Sequence, residues 1–163
     1  HLFGAAFEAL DTARVQAQAT HVVMQYVTVA EVVGAVPRLR TLQQLKRLTL
    51  RGNGIESLAE LAPLRGLAGV VKDLVVEENA VCAVPLLGKY VAYRIPGLEL
   101  FNGDPVTAEA RIEGARLFSN ADRVLANAQR KRLALSSEAG AGGGSAAASA
   151  GAAGAPPTDA GSR

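Results

Sequence analysis

Apolar and polar positions alternate through Leu45, Leu48 and Leu50, and the pattern then breaks at Asn53-Gly54. An Asn-Gly pair after an alternating run signals a β-hairpin. The residues that follow do not behave as a returning strand. Ile55, Leu58, Leu61, Leu64 and Leu67 fall at every third position, which no strand can hold on one face. The same phrase then returns. Val71, Leu74, Val76, Asn79, Val81 and Val84 overlay Leu45, Leu48, Leu50, Asn53, Ile55 and Leu58, each pair 26 residues apart (74 against 48, 79 against 53). Unrelated hairpins have no reason to share a register, so Asn53 belongs to a repeat. Each unit predicts a short strand, a bend, and an outer segment that carries the chain back. Such a unit cannot close a core alone and must stack in parallel on its neighbours. Asn53 and Asn79 are then adjacent rungs of a buried ladder whose amides satisfy backbone groups at the bend. The alternative is that each Asn is a solvated turn residue.

Two weaker copies flank these. Upstream, Val23, Tyr26, Thr28, Glu31, Val33 and Val36 fit the template 22 residues before the first copy (26 against 48). That register puts Glu31 at the ladder position, although a carboxylate cannot donate as an amide does. Leu39, Leu42 and Leu45 continue the outer segment. Downstream, Ile95, Leu98 and Leu100 predict a fourth strand.

The pattern LxxLxLxxNxIxxL resembles the leucine-rich repeat family, in its short, phosphatase-regulator-like class of 22–26 residues per repeat. Ile95-Pro96, Leu98, Phe101-Asn102-Gly103, Val106-Thr107 and Glu109 resemble that class's C-terminal cap, with Asn102 where the cap usually has Asp. Asn79-Ala80-Val81-Cys82, with Tyr90-Val91 and Tyr93-Arg94, is similar to its Asn-Pro-x-Cys and Tyr-Arg features in a shifted arrangement. The resemblance spans Val23 to Phe118. It implies an α/β fold: a leucine-rich repeat solenoid with a short parallel sheet on its concave face, helices at both ends, and a disordered tail.

The expected organisation is an N-terminal helix over 1–20, repeats and cap over 21–107, a capping and overhanging helix over 108–135, and a tail over 136–163. Thr107 is suited to cap the third segment, with Glu109 in its first turn. Ile112, Ala115, Phe118, Ala121, Leu125 and Ala128 form its expected apolar stripe. From Ser136 the chain is nearly all Ala, Gly, Ser and Pro, with too little apolar surface to offset the entropy of ordering. The folded body is therefore about 135 residues, enough for one domain.

Composition mainly excludes. The chain of 163 residues carries a net charge of +2. Val36 to Val76 has seven Lys or Arg against three Asp or Glu, far from the dense basic face of a nucleic-acid binder, and aromatics for base stacking are scarce. One cysteine rules out a disulfide framework and favours a reducing compartment. Cys82 reads as a buried small hydrophobe rather than a reactive thiol. No apolar run reaches the roughly 18 residues that span a bilayer. His1 and His21 lack companions at metal-ligand spacing, and no nucleophile, phosphate-loop or zinc-protease motif occurs. The expectation is a chain with no catalytic residues, cofactor or metal.

A binding surface remains. With strands stacked in the register above, three rows face outward: Gln25, Arg47, Asp73, Gly97; then Val27, Thr49, Val75, Glu99; then Val29, Arg51, Glu77, Phe101. Arg47 beside Asp73 and Arg51 beside Glu77 are opposite charges that could simply satisfy each other. Val27, Val29, Val75 and Phe101 are apolar residues facing out, as at a partner site. A second candidate is Arg130-Lys131-Arg132 at the end of the overhanging helix. The resemblance implies a protein-binding scaffold of cilia or centrosomes, with tubulin or axonemal proteins as partners and a cytoplasmic, ciliary or cytoskeletal location. The alternatives are a phosphatase-regulating adaptor and an accessory subunit of a tubulin-modifying complex.

Overall fold

The computed structural model describes residues 10–141, with the side chains of the last helix only as far as Val124 and at Asn127. The chain divides into two compact units, 1–123 and 124–163. In the first unit, α1 (Ala13–Gln18) leads into β1 (His21–Gln25), α2 (Val29–Leu39) and β2 (Arg47–Arg51). A 3₁₀ segment (Leu58–Leu67), β3 (Asp73–Glu77), a 3₁₀ turn (Ala80–Ala83), α3 (Leu87–Arg94), β4 (Leu100–Phe101) and β5 (Asp104–Pro105) follow. Helix α4 (Ala108–Ala141) starts in this unit, and its residues from Val124 belong to the second. It extends past the expected boundary at Leu135. Residues 1–9 and 142–163, which hold the first nine positions of the expected N-terminal helix and most of the expected tail, lie outside the described residues, and within 10–20 the helix covers only Ala13–Gln18.

The sheet order is β1-β2-β3-β4-β5, parallel through β4, with β5 antiparallel to it. The strand, bend and outer segment thus recur as the repeat requires, in a leucine-rich-repeat-like arrangement. Along β1 and β2 every second residue is buried. Val22, Met24, Leu48, Leu50, Leu74 and Val76 form the inner row of the core, each at most 5 % exposed. Each such buried side chain contributes about 1.5–3 kcal/mol.

The outer segments close the core from the other side. Leu58, Leu61, Leu64 and Leu67 keep period three because this segment is a 3₁₀ helix, with three residues per turn. Ten residues is long for that geometry, and three leucines buried against the core hold it. In the first repeat the outer segment is an α-helix, which buries Val32, Ala35, Val36 and Leu39.

The Asn ladder is present. Asn53 and Asn79 are 3 % and 7 % exposed. The Asn79 carbonyl oxygen accepts from the Asn53 and Ile55 amides at 2.8 and 3.2 Å, and its amide donates to the Leu50 and Glu77 carbonyls. Asn53 donates across to the Val27 carbonyl at 3.0 Å.

Both flanking repeats differ from expectation. In β1 the offset is 26 and not 22, since Val22 pairs with Leu48 and Met24 with Leu50. Tyr26 and Thr28 are therefore not core residues. Tyr26 is 69 % exposed, and Thr28 caps α2. Glu31 is not a ladder residue. It accepts from the Thr28 amide and hydroxyl, and the Glu31 amide donates back to Thr28 Oγ1, a complete capping box. Those bonds, the backbone one first, hold its carboxyl below the usual range.

At the other end β4 is slipped by three residues from the expected register, an odd number that exchanges its two faces. Leu100 pairs with Asp73 and Phe101 with Leu74, so Phe101 turns inward and Leu100 outward. Asn102-Gly103, with φ of +51° and +88°, makes the tight hairpin into β5. The hairpin signal rejected at Asn53 is thus used at Asn102. The Asn102 side chain bonds both the amide and the carbonyl of Val76, replacing partners that a two-residue strand cannot supply. Cys82 is exposed rather than buried, and its thiol lies 3.3 Å from the Val76 carbonyl oxygen.

Thr107 accepts from the Ala110 amide and caps α4 as expected. The packed stripe of that helix is Arg111, Gly114, Ala115, Phe118 and Asp122, whereas Ile112 and Ala121 are exposed. Phe118 meets Tyr90 edge-on with centroids 5.0 Å apart, and Asp122 takes a two-pronged bond from Arg94 at 2.8 and 3.0 Å. Gly114 sits where α4 crosses α3. A Cβ there would collide with the Lys89 carbonyl oxygen and lie 2.9 Å from Tyr93 Cβ.

Candidate protein-binding face

Three rows cross the sheet on the side away from the core, each set by the observed register. One is His21, Arg47, Asp73 and Leu100; the next is Val23, Thr49 and Val75; the third is Gln25, Arg51 and Glu77. Val23, Thr49, Val75 and Leu100 are half-buried, and the three apolar ones are not among the residues packed against the core. The centre of the face is therefore a half-buried strip of Val23, Thr49 and Val75, polar at its middle, with Leu100 in the neighbouring row beside Asp73.

Charged groups frame the strip. Arg47 Nε donates to Asp73 Oδ2 at 2.6 Å. Asp73 is 8 % exposed, and its other carboxylate oxygen is buried with no partner. His21 Nε2 lies 3.0 Å from Thr49 Oγ1, and partial burial, then the nearby Arg47 charge, lowers its pKa. On the opposite side Arg51 pairs with Glu78 rather than with Glu77, its register partner. The Arg51 bond draws the Glu78 carboxyl below the usual range.

Seven of the residues expected to face outward do so: Gln25, Arg47, Thr49, Arg51, Asp73, Val75 and Glu77. Val27, Val29 and Phe101 instead pack against the core. The first two lie beyond the end of β1, where Tyr26 turns the chain, and the third is inverted by the slip in β4. Glu99 precedes β4 and pairs with Lys72 at 3.3 Å, at the edge of the sheet. Gly97, also placed on the face from sequence, is a turn residue with φ of +86°. Arg130, Lys131 and Arg132 lie in the part of α4 whose side chains are outside the described residues.

His21, Val23 and Leu100 were missed as face residues. The alternation His21-Val22-Val23-Met24-Gln25 carries the signal for the first two, once an offset of 26 is imposed on the first repeat as well.

No protein-family model matches the chain, and no curated protein matches it. Among solved structures it is similar to a chain in the crystal structure of the Drosophila melanogaster SNF/U2A' complex, with 24 % identity and a TM-score of 0.44. The match covers 54 % of this chain and 51 % of that one, so the chain spans about half the length of its structural neighbour.

Among the described residues, no group of three or more His, Cys, Asp and Glu side chains is placed to hold a metal ion. No described helix is long and apolar enough to cross a membrane. The open face itself offers hydrogen-bonding and apolar groups on a rigid support.

Proposed function

We propose that the chain is a non-catalytic protein-binding module and that the open face of the sheet is its binding surface. The observation that carries this is the set of half-buried apolar side chains, Val23, Val75 and Leu100, turned away from the core on a parallel sheet. Parallel sheets are ordinarily covered on both faces, and apolar surface gathered on one side and rimmed by charge marks an interaction site. Arg47 and Asp73 are already paired, so a partner can cover them without first stripping two isolated ions of water.

The finer reading, a component of a ciliary or other microtubule-associated assembly, is supported by the sequence resemblance alone. Crosslinking mass spectrometry in the native assembly tests both levels. Crosslinks from Lys46 and Lys72, which flank the starts of β2 and β3, to another protein support the binding face. Tubulin or axonemal neighbours would support the finer reading, and a phosphatase subunit would replace it with the adaptor reading. Crosslinks that avoid the sheet and cluster at Lys131 would move the binding element to α4.

A further inference from the structure

Residues 26, 52 and 78 close β1, β2 and β3 at the same point of the repeat, and all three have left-handed backbones. Their φ values are +55° at Tyr26, +58° at Gly52 and +53° at Glu78. Glycine takes this conformation freely, whereas a residue with a Cβ is disfavoured there. A non-glycine residue held in it directs attention to a binding role.

The side chains at these positions form one unit. The Tyr26 hydroxyl donates to Glu78 Oε2 at 3.1 Å, and Arg51 donates to the other oxygen of the same carboxylate. Between them the Tyr26 ring lies across Gly52, where any Cβ would collide with it. The ring is thus fixed at its hydroxyl end and beside its Cδ1–Cε1 edge, yet Tyr26 remains 69 % exposed. An aromatic ring already held in place loses little freedom on contact, and tyrosine is among the residues that dominate interface energetics.

The charge around the ring selects its occupant. Glu78 and Arg51 neutralise each other. Glu77, next to them on the open face, is exposed and makes no ion pair among the described residues, so the corner keeps a net negative charge. We infer that Tyr26 is the aromatic anchor of the open face and that it receives an arginine side chain of the partner, stacked on the exposed side of the ring and drawn by Glu77. A guanidinium suits this better than an ammonium, because it is planar, stacks on aromatic faces and bonds a carboxylate at its edge. This rests on the open face being the binding surface, and the test separates the two.

Peptides selected from a random phage-displayed library on the full chain serve as probes, with affinity read by fluorescence polarisation. The expected result is enrichment of arginine among the binders. Tyr26→Gly should weaken the selected peptide about tenfold or more while melting no lower than the parent, and replacing the peptide's arginine by neutral citrulline should do the same. Tyr26→Phe, which keeps the ring, should bind within about threefold of the parent. If Tyr26→Gly does not fold, Tyr26→Asn, which also tolerates a left-handed backbone, takes its place. Peptides that lose binding in Val75→Glu but keep it in Tyr26→Gly would overturn the anchor and leave the binding face intact. Binding that survives both substitutions, or no selectable binder, would overturn both.

Discussion

At the scale of single residues, the ladder and the sheet register make separate predictions. Asn79 makes four hydrogen bonds from one buried side chain. Asn79→Ala strips partners from the Asn53 and Ile55 amides inside the fold, and should destabilise the domain by about 1–3 kcal/mol. Chemical denaturation reads this directly; an unchanged midpoint would mean that water replaces the amide. Val75 and Phe101 test the slip in β4. Val75 faces away from the core, so Val75→Glu should leave the melting temperature nearly unchanged while abolishing partner binding. Phe101 packs against the core beside Gly88, so Phe101→Glu should cost about 2 kcal/mol or more. Had β4 kept the expected register, the two substitutions would behave alike.

At the scale of elements, helix ends and helix crossings decide. Glu31 closes the N-terminus of α2 as a carboxylate, and its folded pKa is held below the unfolded value near 4.3. Its contribution is therefore present above that unfolded value and is lost as pH falls through the folded one. Glu31→Gln cannot titrate. Its melting temperature should fall less steeply than the parent's between about pH 5 and pH 3, and parallel curves would show that the charge on Glu31 adds nothing to the cap. Gly114 is a poor helix former retained in α4 because α3 passes too close for a side chain. By propensity alone Gly114→Ala would stabilise the helix. The crossing reverses the sign, and a loss of about 1–3 kcal/mol is expected, with α4 displaced from Tyr93. Thermal melts distinguish the two signs.

At the scale of the whole molecule, the open face tests its own electrostatic frame. If association is driven by the apolar side chains of the open face, raising salt from low to physiological strength should weaken it only by the share that exposed, unpaired charges such as Glu77 contribute, because only those are screened. Neutralising Arg130-Lys131-Arg132 should then weaken binding only at low salt. Loss of the partner from that variant at physiological salt, with Val75→Glu still bound, would assign recognition to α4.

What the sequence determined by itself was the repeat: its 26-residue spacing, the inner leucines of β2 and β3, the Asn ladder and the cap at Thr107. These are periodic and local, so one copy checks another. The outer segment at Leu58–Leu67 was also readable as period three, though not as a 3₁₀ helix. What only the tertiary structure decided lies at the ends of the repeat, where there is no further copy to check against. In the first repeat Val22-Val23 and Met24 admit more than one offset, and only pairing with Leu48 and Leu50 selects 26. In the last, a turn through Gly97 shifts β4 by three residues, and a shift by an odd number exchanges the two faces of a strand. Cys82 and Gly114 were likewise beyond the pattern, because exposure and close approach depend on neighbours distant in the chain. The open face of the sheet straddles the two regimes. Its middle follows from periodicity, and its margins at Tyr26 and Leu100 exist only because of how the terminal strands dock.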